Sequence, residues 1–212
     1  AHYGGTQWNE RHATLTQITP DNVAQMVPRH VLQLGHVGTS LSASPLVIDG
    51  VLYVSAPDGL VQAFELRTGM RKWSFVHNLD LSVYPASLKP SAGGARAPAC
   101  CSNTSRGLAY ADGTIFLGTL DAKMIAIDAD SGKKKWEVWG VQPEDNPGNT
   151  YGYNSAPSAI GNMVAIGTPR GESPTRHHLT AFDHTTGKQR SRRHLLRGPE
   201  VFARVAPDAC RT

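Results

Sequence analysis

The feature that most constrains this chain is that it repeats itself. Three segments share one pattern: an apolar run ending in Ala, an acidic residue, then Thr or Ser followed by Gly, and in two copies a Trp. They are Val61-Gln62-Ala63-Phe64-Glu65-Leu66-Arg67-Thr68-Gly69-Met70-Arg71-Lys72-Trp73, Met124-Ile125-Ala126-Ile127-Asp128-Ala129-Asp130-Ser131-Gly132-Lys133-Lys134-Lys135-Trp136 and Leu179-Thr180-Ala181-Phe182-Asp183-His184-Thr185-Thr186-Gly187-Lys188-Gln189. Period-2 alternation marks a strand, and the Gly supplies a turn residue that tolerates positive φ, so each segment predicts a β-hairpin. Upstream of each lies a second hairpin signal, at Asp49-Gly50, Asp112-Gly113 and Gly161-Asn162.

Two hairpins per repeat make a four-stranded antiparallel unit, the blade of a β-propeller. The units recur about 55 to 63 residues apart, longer than the roughly 40 to 50 of common propeller repeats. The surplus falls in two inserts, around residues 77–105 and 139–155, rich in Pro, Gly, Ser and Asn. Loops of that length in a compact fold tend to carry function. The fold class is therefore all-β, a partial propeller of about three four-stranded antiparallel blades preceded by an N-terminal strand. A β-sandwich with coincidental turns is the alternative. Three blades without neighbours leave faces and strand edges uncovered, which makes self-association an expectation.

Composition narrows the partners. Hydrophobic residues make up 40% and charged residues 18% of the 212, as in a folded globular chain. No run of about 18 apolar residues exists, so no membrane span is expected. Ala1-His2-Tyr3 does not begin a basic region followed by an apolar stretch, which fits either a cytosolic protein or a mature secreted one. The net charge of +4 reflects Arg190, Arg192, Arg193, Arg197, Arg204 and Arg211, without an aromatic stacking platform or a helical basic stripe, so nucleic-acid binding is not expected. Three cysteines lack the spacings of a structural zinc site.

Two of those cysteines are adjacent, Cys100-Cys101. Bonded to each other they close a small strained ring, because consecutive Cα atoms lie nearer than disulfide geometry prefers. Left reduced, they are small apolar residues. Their surroundings, Cys100-Cys101-Ser102-Asn103-Thr104-Ser105-Arg106-Gly107-Leu108-Ala109-Tyr110, resemble the C-C-D-x-V-x-R-G-x-A-Y motif of the PQQ-dependent alcohol dehydrogenases, including the methanol dehydrogenases. Tyr3-Gly4-Gly5, Gln17-Ile18 and Asp21-Asn22-Val23 are similar to the family's opening segment, and Gly118-Thr119-Leu120-Asp121-Ala122 to its next blade. The resemblance implies an eight-bladed ring, pyrroloquinoline quinone (PQQ), Ca2+ and a periplasmic location. It also implies alcohol, polyol or sugar substrates and a cytochrome c electron acceptor. An oxidised cysteine pair agrees with that compartment.

The same resemblance implies a cofactor shell. Cys100 and Cys101 would form a disulfide lying flat on one face of the quinone, and Arg106 would hydrogen-bond its reactive carbonyl region. Gly167-Thr168-Pro169-Arg170-Gly171-Glu172-Ser173 aligns with the family's G-S-S-G-A-E segment, which makes Glu172 the calcium ligand; on its own it would be a solvated loop carboxylate. Arg170 would pair with a cofactor carboxylate. Asn154 stands where the family has a quinone-bonding threonine, and Ser42 where it has a glutamate; turn residues without a ligand are the plainer reading of both. In the family's mechanism calcium and arginine polarise the quinone, an Asp takes the alcohol proton and hydride passes to the cofactor. The Asp belongs to later blades, so no catalytic residue is assigned here.

By register with Trp73 and Trp136, the third repeat should carry a Trp at Ser191. The text from Arg190 onward is Arg-rich and loses period-2 alternation. Residues 1–189 are therefore expected to form the propeller blades, and 190–212 an out-of-family tail of frameshift origin or of a genuine short paralogue. The functional expectation is a PQQ- and calcium-dependent dehydrogenase, weakly active or inactive as this chain alone. The alternatives are a non-catalytic envelope propeller serving as scaffold or binding protein, and an inactive remnant.

Overall fold

The structure is a computed structural model that describes residues 10–12, 15–35, 41–80, 104–145, 151–168 and 176–194. Twelve strands form three separate four-stranded antiparallel sheets, each a simple meander. Blade 1 holds β1 (Leu46–Ile48), β2 (Val51–Ala56), β3 (Leu60–Glu65) and β4 (Arg71–Val76). Blade 2 holds β5 (Ala109–Ala111), β6 (Thr114–Gly118), β7 (Lys123–Asp128) and β8 (Lys134–Trp139). Blade 3 holds β9 (Ser158–Ile160), β10 (Met163–Gly167), β11 (His178–Asp183) and β12 (Gln189–His194). The sandwich alternative falls, because each repeat closes as its own four-stranded meander and the middle sheet is packed against a neighbour on both faces. Short 3-10 turns at Val23–Gln25, Pro57–Gly59 and Pro143–Asp145 are the helical elements among the described residues.

Local chemistry sets the hairpins. Asp49 and Gly50 have φ of 47° and 78°, and Asp112 and Gly113 have 45° and 68°. Positive φ at both central residues defines the type I′ turn, whose twist matches that of the flanking strands. In the outer hairpins Gly69, Gly132 and Gly187 donate their amides to the carbonyls of Glu65, Asp128 and Asp183 at 2.8, 2.9 and 2.9 Å. The register slips by one residue at Ala63/Phe64, Ala126/Ile127 and Ala181/Phe182. All three repeats thus carry the same bulge at the same place.

The outer turns also set the spacing between blades. Trp73 of blade 1 lies over Gly132 of blade 2, so close that a Cβ on that glycine would fall 2.6 Å from ring atom Cδ2. Its indole N–H donates to the Ala129 carbonyl at 2.9 Å. Trp136 of blade 2 repeats the contact on Gly187 of blade 3 and donates to the His184 carbonyl at 3.1 Å. On Gly69 of blade 1 the ring is His30, from the N-terminal segment. No strand precedes β1 among the described residues, so the expected N-terminal strand is not found there.

Blade 2 is covered on both faces. Ile115, Leu117, Ile125 and Ile127 meet Val61, Leu46, Tyr53 and Trp73 of blade 1. Phe116, Met124 and Ala126 meet Val164, Ile166 and Phe182 of blade 3. The run Ile115-Phe116-Leu117 is buried throughout because both faces are interior. Blade 3 has one covered face; on the other, Ile160 and Leu179 are 59% and 45% exposed. Its outer strand runs on past Gln189 to His194, with Ser191 opposite Ala181 as Trp73 is opposite Ala63 and Trp136 opposite Ala126. The sheet therefore crosses the boundary expected at residue 189. An outer strand whose side chains are mostly solvent-facing needs no apolar alternation, which is why the sequence pattern ends before the strand does.

Candidate functional site

The segments that lead into the three inner strands lie side by side. The Ser44 amide donates to the Arg106 carbonyl at 3.3 Å, and the Arg106 amide to the Asn154 carbonyl at 2.9 Å. Ser44 and Gly107 form a parallel bridge. Gly107 has φ of 142°, and a Cβ there would lie 3.3 Å from both the Ala156 Cβ and the Ser44 carbonyl oxygen. Only glycine permits this approach, so the backbone itself draws the three blades together at their inner ends.

The result is a cleft of about 220 Å³ lined by Ser42, Arg106, Ser155 and Ala156. Arg106 contributes an exposed guanidinium with no carboxylate among the described lining residues. Asn154, next to Ser155, is 4% exposed, and its Oδ1 has no hydrogen-bond partner among the described residues. A buried amide oxygen left unpaired marks a place for a missing donor. Ser155 is held by donating to the Gly167 carbonyl at 3.3 Å, and Ser105 by donating to Ser55 Oγ at 2.9 Å. The cleft thus offers a permanent cation and polar side chains, a donor set that suits one side of a planar, carboxylate-bearing molecule. Ser42 and Arg106 line this cleft, and Asn154 is joined to Arg106 through its backbone carbonyl. Cys100, Cys101, Arg170 and Glu172 lie outside the described residues. Ahead of the Glu172 segment, Thr168 is fixed by two bonds to His178: its amide donates to the His178 carbonyl at 3.0 Å, and its hydroxyl accepts from the His178 amide at 3.0 Å.

Behind the cleft stands a buried polar latch that sequence reasoning did not assign. Asp121 is fully buried and accepts from His77 Nε2 at 3.0 Å, from the Asp80 amide at 3.1 Å and from the Thr119 hydroxyl. Lys123 Nζ lies 3.7 Å from the same carboxylate, pairs with Glu137 at 2.9 Å and sits 4.3 Å over the Trp139 ring. Burial works to raise the Asp121 carboxyl, but His77, Thr119 and the Asp80 amide together hold it below the ordinary carboxylate value. The latch joins the end of blade 1 to blade 2. It also touches the site, because the Thr119 carbonyl accepts from the Tyr153 amide at 2.8 Å and so fixes the residue before Asn154. The motif Gly118-Thr119-Leu120-Asp121-Ala122 pointed to this turn as a family feature, but only the fold brings His77 to it.

Comparison with known proteins follows the same lines. The family model for the PQQ-containing β-propeller domain of glucose, ethanol and alcohol dehydrogenases matches residues 1–198. Among curated proteins, the chain is 36% identical over 191 residues to a 1-butanol dehydrogenase (cytochrome c) of Thauera butanivorans, covering 89% of this chain and 25% of that one. It is 31% identical over 202 residues to a lanthanide-dependent methanol dehydrogenase of Methylorubrum extorquens, covering 94% and 31%. Among solved structures, a quinohemoprotein alcohol dehydrogenase from Comamonas testosteroni superposes with a TM-score of 0.79 at 29% identity, over 91% of this chain and 26% of that one. A europium-containing methanol dehydrogenase gives 0.74 at 28%, over 88% and 30%. The chain spans about a quarter of the length of the curated relatives it matches. It belongs to the PQQ β-propeller family of glucose, ethanol and alcohol dehydrogenases.

Proposed function

We propose that these blades supply one wall of a PQQ and metal site in a dehydrogenase that oxidises alcohol-type substrates. The observation that carries the reading is the single cleft lined by Arg106 and Ser42, with Asn154 tied to Arg106 through its backbone carbonyl. When bound, PQQ supplies the two-electron acceptor chemistry and the metal supplies Lewis acidity. Arg106 would hold the oxygen-rich edge of the quinone with its guanidinium beside it. Asn154 orients the same edge through its amide, fixed from behind by the Thr119 turn. Ser42 contributes a hydroxyl at the rim.

By the same resemblance, and outside the described residues, Cys100 and Cys101 would cover one quinone face as a vicinal disulfide, Glu172 would ligate the metal, taken as Ca2+, and Arg170 would pair with a cofactor carboxylate. Electrons pass to a cytochrome c, in a periplasmic setting. The out-of-family tail begins beyond β12 and the family match, after residue 198. The 212 residues alone hold too little of the pocket for efficient turnover, and we expect weak or no alcohol oxidation from them. Dye-linked oxidation of alcohols, polyols and sugars by the purified chain, supplied with PQQ and Ca2+, tests this. Turnover at rates typical of enzymes would overturn the expectation of weak activity, and failure of PQQ to bind at all would overturn the assignment of the cleft.

A further inference from the structure

The insert around residues 77–105 leaves blade 1 and enters blade 2 beside one buried carboxylate. On the departing side, His77 Nε2 and the Asp80 amide bond Asp121 at 3.0 and 3.1 Å. On the returning side stands Arg106, whose guanidinium lines the cleft. Leu79 from one side and Thr104 and Ser105 from the other line a cavity of about 10 Å³ together with Thr119 and Tyr153, with room for no more than one water. Both ends of the insert therefore meet on the Thr119–Asp121 turn.

From that turn an unbroken run of bonds leads to Arg106. The Thr119 hydroxyl donates to Asp121, and the Thr119 carbonyl accepts from the Tyr153 amide at 2.8 Å. The carbonyl of the next residue, Asn154, accepts from the Arg106 amide at 2.9 Å. The turn is held firmly. Ala122 has φ of 64°, which L-residues rarely adopt, where the matching turn of blade 1 has Gly59 at 73°. Its amide donates to the Thr119 carbonyl at 3.1 Å and its carbonyl accepts from the Gly140 amide at 2.7 Å, bonds that over-determine the conformation. Buried ion networks add little stability over apolar packing of the same volume.

We infer that Asp121 is a positioning residue of the cleft. By clamping the departing end of the insert to the Thr119 turn, it sets where the Arg106 backbone stands, and so from where the guanidinium reaches into the cleft. Asp121 is 0% exposed and acts only through Arg106. Its consequence for cofactor binding rests on the quinone reading above; the link to Arg106 does not.

The test compares the full chain with its Asp121→Asn variant. In amide NMR spectra of the folded proteins, the Tyr153 and Arg106 signals should move upfield in the variant as their bonds lengthen, while the Gly69 and Gly187 amides of the outer turns stay in place. In a titration with PQQ in excess Ca2+, Asp121→Asn should weaken binding about fivefold in the parent background, and less than about twofold in an Arg106→Ala background. His77→Gln, whose amide can still donate to Asp121, should restore most of what His77→Leu loses. Thr119→Val serves as the second variant should Asp121→Asn fold poorly. A loss of stability alone moves neither the folded-state signals nor the difference between backgrounds. Tyr153 and Arg106 signals that stay in place, or an affinity loss equal with and without the Arg106 side chain, would overturn the inference. If the parent chain does not bind PQQ, the quinone reading fails and the amide signals alone decide the link.

Discussion

Replacing Gly132 by Ala probes what holds one blade at a fixed distance from the next. Two costs arise. The first is backbone: Gly132 has φ of 71°, where an L-residue costs roughly 1–2 kcal/mol. The second is collision, because the new Cβ would stand 2.6 to 2.8 Å from three atoms of the Trp73 ring. That ring cannot yield easily, since its N–H is tied to the Ala129 carbonyl at 2.9 Å and Tyr53 packs against it at 5.9 Å between centroids. Overpacking of this kind costs about 1–3 kcal/mol. Gly113→Ala is the matched control: its φ is 68°, and its added Cβ would meet nothing within 4 Å. Urea unfolding should therefore show a loss of about 1–2 kcal/mol for Gly113→Ala and an additional loss of about 1–3 kcal/mol for Gly132→Ala. The excess should disappear when both glycine variants are compared in a Trp73→Leu background, because coupling requires contact. Equal losses for the two glycines, or an excess that survives removal of the ring, would refute the claim that Trp73 spaces the blades.

Three further outcomes follow from the same geometry. Asp121→Asn should destabilise the chain by about 1–3 kcal/mol in urea, because it leaves buried His77 and the half-buried Lys123 facing a neutral amide. In the parent chain the Asp121 contribution is complete above its unfolded value of 3.8 and fades as pH falls through the lower folded value, so the variant should lose the corresponding part of the acid limb. His178, pushed down to about 4 by burial first and by the charge of Arg192 second, with the Arg176 carbonyl opposing weakly, is protonated earlier in the unfolded chain than in the fold. Stability should therefore fall as pH drops from 6.5 toward 4 and level off below. The loss is at most about 3 kcal/mol, and a His178→Phe variant should flatten that window in a urea-midpoint series. Gly107→Ala should weaken binding at the cleft more than it lowers the melting temperature, since it pries Ser44 from Ala156 at the inner ends of the blades; equal effects on both would argue against a positioning role.

The blades were legible because their signals are local. Alternation, the two glycine-bearing turns and their recurrence are all written within each repeat, and the identical bulges at Ala63, Ala126 and Ala181 show how fully the local code is obeyed. What the repeat could not convey is contact between residues distant in sequence. Asp121 is singled out by a motif, yet its partner His77 comes from the preceding blade, and Tyr53 and Trp73 meet at Ala129 of the next blade. His178 and Thr180 read as ordinary strand positions, and their place beside Arg192 becomes visible only once β12 is in register across the sheet. Ser191 was identified as the missing Trp, but the loss of alternation after Gln189 hid the rest of β12, whose outward sides have no core to record. At the cleft, Arg106, Asn154 and Ser42 came from resemblance to a family motif. Their convergence came from three short backbone contacts that no side-chain pattern encodes.

The central claim is that the cleft at Arg106 is one wall of a quinone site, and an equilibrium titration tests it most directly. The purified chain is titrated with PQQ in excess Ca2+, following the quinone absorbance, alongside Arg106→Ala. The account predicts saturable binding that weakens about tenfold or more in the variant, as expected when a charge-assisted hydrogen bond to the ligand is removed. Absence of saturable binding, or equal affinity in the two proteins, would contradict it.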